Sequence, residues 1–176
     1  MGLKYSRLID SIMTDKMTPQ QRHYCMSRIR GKATKPELLV RHWLWSHGYR
    51  YRLNVKSVPG KPDIVLRKYR TAIFVNGCFW HGHDAVIPAI MNPDPANTEP
   101  EAKDSECCKI PKSNRKFWVE KIMRNMERDR QEYKALHDAG WQVIVIWECQ
   151  LKKAVLDDTM LSVEHLLNKN LLEMYK

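Results

Sequence analysis

The sequence predicts an α/β domain, a central mixed β-sheet flanked by helices. Three observations carry that expectation. Two short apolar runs rich in β-branched residues, Asp63-Ile64-Val65-Leu66 and Thr71-Ala72-Ile73-Phe74-Val75, are bounded by turn signals, and 67–70 can close a hairpin between them. A third run, Trp-Gln-Val-Ile-Val-Ile-Trp at 141–147, is apolar enough for a strand buried on both faces. Segments of helical periodicity surround these runs, and helix–strand alternation gives this class.

Each element has its own signal. Residues 1–17 carry no strong pattern and read as an extension of a single domain at 18–176. Thr18-Pro19 opens a first helix, expected to run to Gly31. Thr34-Lys35-Pro36-Glu37 has capping-box spacing. The helix it starts should end at Gly48, with Leu38, Leu39, His42, Trp43 and Leu44 facing the core. Residues 49–55 alternate and predict a strand. Pro59, Gly60 and Pro62 then punctuate the approach to the hairpin. A long loop at about 77–112, with five prolines, contains an acidic insertion at about 84–106. Ser113 can cap a long helix ending near Asp138, with Trp118, Ile122, Asn125 and Asp129 on one face. A last amphipathic helix at about 157–175 should turn Leu161, His165, Leu166 and Leu172 inward.

Length suits one domain with a sizeable hydrophobic core. No apolar run reaches membrane-spanning length and no signal-peptide core is present, so a soluble, cytoplasmic protein is expected. The net charge is +10. Residues 18–60 hold nine Lys or Arg and one acid, Glu37, whereas 84–108 hold six acids and one base, Lys103. A concentrated basic surface suggests a polyanion, most simply nucleic acid; a solvated face kept for solubility is the ordinary alternative.

The five cysteines, an odd number, fit reduced thiols or metal ligands better than a disulfide framework. Cys78 and His83 share a loop, Cys107 and Cys108 follow the insertion, and Cys149 ends the apolar strand. Cys, His, Cys and Cys is a usual donor set for structural zinc, and such a site would pin the root of the long loop to the sheet. Ordinary buried cysteines are the alternative. One of Cys107 and Cys108 must be spare, and Cys108 is preferred as the ligand. Cys25 is not expected to be one. His81-Gly-His83-Asp84 begins like a dinuclear-hydrolase motif, but Ala85 and Val86 stand where its last ligands belong.

Phosphodiester hydrolysis requires charge neutralisation at phosphate and an activated water, which carboxylate-held magnesium can supply. Asp63 is the best-placed carboxylate and Glu37 a second candidate. His81 can take a proton, since imidazole titrates near neutrality. Singly, each residue has an ordinary explanation: a strand start, a helix cap, a surface histidine.

Together they fall in longer motifs. Pro-Gly-Lys-Pro-Asp, Phe-Val-Asn-Gly-Cys-Phe-Trp-His-Gly-His, Phe-Trp-(x)2-Lys-Ile-(x)2-Asn-(x)2-Arg-Asp and Gly-Trp-Gln-Val-(x)3-Trp-Glu-Cys follow in order. Over about 18–151 the chain resembles the very-short-patch-repair DNA mismatch endonucleases. That resemblance implies a restriction-endonuclease-like fold and magnesium-dependent nicking of duplex DNA 5′ of the T in a G·T mismatch. It implies that Asp63 and the Val75 carbonyl bind magnesium, and that His81 is the general base. Glu37, Asn125 and Asp129 match the supporting polar groups around the magnesium waters. Cys78, His83, one of Cys107 or Cys108, and Cys149 match the zinc ligands. Phe79, Trp80 and Trp118 match aromatics that wedge into the duplex, where a mismatched step is cheaper to unstack. Met26 and Ile29 match an apolar pair pressing from the opposite groove; hydrophobic core is the alternative for all five. Arg28, Arg30 and Lys32 belong to the basic surface expected on DNA.

Two departures stand out. The best-known members carry His where this chain has Asn76, which is therefore expected to assist, and the insertion displaces the third zinc ligand along the chain. The expected partner is mismatched double-stranded DNA bound by a monomer in the nucleoid, with contacts to other mismatch-repair proteins left open. Two other functions compete: a restriction-type endonuclease acting on matched DNA, and a zinc-stabilised DNA-binding module without activity.

Overall fold

The β-hairpin forms the middle of the molecule. The computed structural model describes residues 17–28, 32–85 and 105–176, without the side chains of Pro19 and Met26. The terminal extension up to residue 16, Ile29, Arg30, the Met26 side chain and most of the acidic insertion therefore lie outside the described residues. The elements are α1 (Pro19–Ser27), α2 (Lys35–Ser46), β1 (Ile64–Leu66), β2 (Thr71–Asn76), α3 (Arg115–Asp138), β3 (Gln142–Trp147) and α4 (Leu156–Glu173), with short 3-10 turns at Arg67–Tyr69 and Glu148–Leu151.

The sheet is mixed, ordered β1-β2-β3. β1 runs antiparallel to β2 with Ile64 opposite Ile73. β2 runs parallel to β3 with Val75 opposite Ile146 and Asn76 opposite Trp147. A parallel pair needs a crossover, and α3 supplies it. Strand alternation then sorts the core into two layers. Ile64, Leu66, Ile73, Ile144 and Ile146 face Val40 and Leu44 of α2 and Met160, Val163 and Leu167 of α4. Val65, Ala72 and Phe74 face the other way, against Leu136 and Tyr133 of α3. A third cluster of Ala85, Cys108, Ile110, Val119 and Ile122 roots the long loop on α3.

The cap of α2 forms as expected. The Thr34 hydroxyl accepts from the Glu37 N–H and donates to Glu37 Oε1 (2.9 Å). The helix ends before Gly48, at φ +83°. At the far end of the hairpin Arg70, itself at φ +45°, donates from Nε and Nη2 to the Gly140 and Ala139 carbonyls, so the hairpin turn caps the end of α3.

Several expectations are corrected. α1 ends at Ser27. Residues 49–55 make one bridge, Arg52 to Val65, because Asn54 turns left-handed (φ +51°) and takes the chain off the sheet. On α2 the inward residues are Glu37, Val40 and Leu44, a helical i, i+3, i+7 set; Leu38 and Leu39 are exposed. On α4 they are Met160, Val163, Leu167 and Asn170, while Leu161, Leu166 and Leu172 are exposed. Asn170 tolerates burial because it donates to the Thr71 hydroxyl (3.2 Å). β3 buries Ile144 and Ile146 fully and only partly covers its other face.

The inward set on α2 is tested by a contrast. Leu44 is 0% exposed and Leu38 is 50% exposed. Leu44→Ala is expected to lower unfolding free energy by about 2–5 kcal/mol. Leu38→Ala is expected to change it by less than about 0.5 kcal/mol, both in urea titrations of the full chain.

Candidate active site and metal centre

Asp63 stands at the mouth of the hairpin, one residue before β1. Its Oδ2 accepts from the Val75 N–H at 2.8 Å, so the carboxylate is latched to the neighbouring strand. Burial pushes the Asp63 carboxyl above the usual range; the Val75 bond opposes this, Glu37 adds to it, and Arg41 and His81 pull the other way. Asp63, Glu37, Arg41, Lys32 and Lys56 line one cavity of about 620 Å³. A hard oxygen donor in such a cavity suits a hard divalent cation.

Glu37 is committed elsewhere. Its Oε2 accepts from the Ala33 N–H and from Arg41 (both 2.9 Å), and Oε1 from Thr34. It is buried, and its geometry makes it a holder of Arg41 and of the helix cap.

His81 lies in the loop after β2, in a separate depression from Asp63, with Asn76, Asp129, Arg130 and Tyr133. Its Nδ1 pairs with Oδ2 of the buried Asp129 on α3. That pairing places the Nδ1 proton toward the carboxylate and leaves Nε2 as the basic nitrogen. Arg128 reaches Asp129 Oδ1 at 3.4 Å. Asn125, one turn earlier, donates to the Trp80 carbonyl at 2.8 Å and holds the loop. Gly82, at φ +63°, lets the loop lie against α3: a Cβ there would sit 2.7 Å from Met126 Sδ. The two depressions are linked through β2, where Val75 binds Asp63 and the next residue, Asn76, belongs to the second.

Asn76 is buried and donates its amide to the Tyr133 hydroxyl at 2.9 Å. Burial pushes Tyr133 up to about 12, keeping it protonated. Sequence reasoning missed Tyr133, although Asn125, Asp129 and Tyr133 recur every four residues and therefore share a face. It also missed Arg41, four residues after Glu37 on α2.

Beside this loop four side chains converge. One donor atom each of Cys78, His83, Cys107 and Cys149 lies within 4.8 Å of all the others. His83 Nδ1 is 3.0 Å from Cys107 Sγ and 3.4 Å from Cys149 Sγ. Its Nε2 is 3.4 Å from Asp84, and its ring stacks on Trp147 at 4.2 Å. Burial, together with the neighbouring Cys149 and Cys107 sulfurs, pushes the Cys78 thiol up to about 12. A set of four N and S donors with an outer carboxylate on the imidazole is one that can hold a metal ion.

The preference for Cys108 is corrected. Cys108 is buried in the apolar cluster on α3, with Sγ near the Phe79 carbonyl (3.8 Å). The Ser105 hydroxyl accepts from the Cys108 N–H and donates to the His83 carbonyl, and this turns Cys107 toward the cluster. Cys25 is exposed and far from it in sequence.

Phe79, Trp80 and Trp118 form an edge-packed trio with centroids 5.1–6.0 Å apart. Lys121 Nζ sits 5.2 Å from the Trp80 ring and 5.6 Å from the Trp118 ring, and Phe117 beside them is exposed. Phe79 and Trp118 also pack on the loop's apolar cluster, so the trio is both support and surface. Arg28 is exposed and lies over Tyr24; Lys32 is exposed at the rim of the Asp63 cavity.

A family model described as DNA mismatch endonuclease Vsr matches residues 14–86. The chain is similar to the type II nicking enzyme V.NmeAIP of Neisseria meningitidis, 44% identical over 82% of this chain and 89% of that protein. It is similar to the type II nicking enzyme V.XorIIP of Xanthomonas oryzae, 41% identical over 79% of this chain and 88% of that one. It is also 33% identical to the DNA mismatch endonuclease Vsr of Escherichia coli, over 80% of this chain and 77% of that one.

The four-residue cluster is tested directly. Cys107→Ser is expected to lose bound metal, whereas Cys108→Ser keeps the wild-type metal content, measured by metal analysis of the purified proteins.

Proposed function

The chain belongs to the family of the DNA mismatch endonuclease Vsr, and from that premise we propose that it nicks duplex DNA 5′ of the T in a G·T mismatch. It is a DNA endonuclease. The observation that carries the finer reading is a partly buried carboxylate latched to β2, with an imidazole oriented by Asp129 in a second depression beyond the end of that strand.

In this reading Asp63 and the Val75 carbonyl hold magnesium, on a restriction-endonuclease-like sheet. The ion, when bound, neutralises charge on the phosphate and favours an attacking hydroxide. His81 Nε2 takes the proton of the attacking water, and Asp129 stabilises the imidazolium that results. Asn125 fixes the backbone that carries His81. Glu37 shapes the cavity through Arg41 and the α2 cap. Asn76, held by Tyr133, assists from the floor of the second depression.

Phe79, Trp80 and Trp118 wedge beside the mismatch, their exposed faces replacing lost base stacking. Met26 and Ile29 press from the other groove, while Arg28, Arg30 and Lys32 meet backbone phosphates. Zinc held by Cys78, His83, Cys107 and Cys149 keeps the His81 loop in place. No helix among the described residues is long and apolar enough to cross a membrane.

A second reading, cutting of matched DNA in a restriction-type system, draws on relatives named type II nicking enzymes. End-labelled duplexes differing only in G·T against G·C separate the two. Nicking confined to G·T with magnesium is expected, and equal cutting of both would favour the second. Asp63→Ala is expected to reduce nicking by roughly a thousandfold or more with the melting temperature preserved. Full activity in that variant would refute the assignment.

A further inference from the structure

The turn that delivers Asp63 has a backbone its sequence does not suit. Gly60 (φ +71°) and Lys61 (φ +49°) are both left-handed. For Gly60 the reason is close approach: a Cβ would lie 3.0 Å from Glu132 Cβ of α3. Lys61 has no such licence. It lacks the short polar side chain that lets Asn or Asp adopt this region by bonding to nearby backbone, and it precedes Pro62, which narrows its choices further. A residue held where glycine would be easier is a mark of a side chain that is used.

Lys61 lines the same cavity as Asp63 and Glu37. Of the cavity's other cations, Lys32 and Lys56 lie further from Asp63 along the chain. Arg41 is partly buried and committed to Glu37 at 2.9 Å. Among the described residues, no hydrogen bond or ion pair engages the Lys61 ammonium; Glu132 on α3 feels its charge, as it does that of Arg128 at 4.0 Å. On the other side of Asp63, β2 offers Val75 and Asn76, neither of them cationic. A phosphodiester entering this cavity gains charge in its transition state, and an ammonium two residues from the carboxylate is placed to meet it.

We propose that Lys61 is a phosphate-binding residue of the Asp63 cavity, its ammonium holding a non-bridging oxygen of the DNA phosphodiester. This rests on the endonuclease reading, and the experiment separates the two.

The full chain, Lys61→Gly and Lys61→Arg are compared on one labelled G·T duplex with magnesium. Binding of that duplex is followed over a salt series, and thermal melting is recorded for each protein. Lys61→Gly is expected to nick about ten- to a hundredfold more slowly. Its slope of log affinity on log salt should be shallower by about one. Its melting temperature should be no lower than wild type, since glycine accepts the left-handed backbone. Lys61→Arg should restore most of the nicking. The proposal is overturned if Lys61→Gly nicks at the wild-type rate, if its loss of nicking comes with a loss of stability, or if Lys61→Arg is no better than Lys61→Gly. Should the wild-type chain not nick this duplex, the mismatch-endonuclease reading fails by itself. The salt slopes of wild type and Lys61→Gly still decide the phosphate contact.

Discussion

A single hydrogen bond from the Val75 N–H to Asp63 Oδ2 sets the geometry on which everything else is built. A buried carboxylate loses solvation, and one backbone donor only partly makes that good. The carboxyl is therefore held in an environment that favours either a proton or a cation. Its position follows from register. With Ile64 opposite Ile73, the residue before β1 falls beside the end of β2, and a shift of one residue would turn the core leucine and isoleucines toward α3. The apolar packing of β1 thus fixes where the polar chemistry sits.

The His81 loop has little regular structure of its own and is held from outside. α3 grips it through Asn125 at the Trp80 carbonyl and Asp129 at the imidazole. The Cys and His cluster ties its far side to the end of β3. Ser105 joins the two limbs of the loop on either side of the insertion. These links come from three separated segments, so the loop's conformation is a property of the folded domain.

Much of this was legible in the sequence because its signals are local. The hairpin is written in β-branched runs between turns, α2 in its capping box, and the α3–β3 boundary in Gly140. The candidate residues were legible through motif resemblance, and α3 brings Asn125 and Asp129 together because helical spacing does so unaided. What failed was what depends on partners distant in sequence. Leucines on α2 and α4 suggested the wrong inward face, since burial there follows the sheet's position. The buried Asn170 is explained only by Thr71, and the choice of Cys107 over Cys108 only by the Ser105 clasp. Residues 49–55 alternate like a strand, yet a left-handed Asn54 ends the pairing after one bridge.

The order of these pieces along the chain matters during synthesis. Asp63 and His81 emerge early, but the groups that orient His81 and anchor its loop, Asn125, Asp129 and Cys149, all follow them. β2 likewise waits for β3 as its parallel neighbour. A polypeptide still on the ribosome carries the proposed catalytic groups before it carries the residues that orient His81. On the proposed function, competence to break DNA is thereby postponed until translation is nearly complete, and a truncated product that lacks β3 also lacks the means to arrange the site.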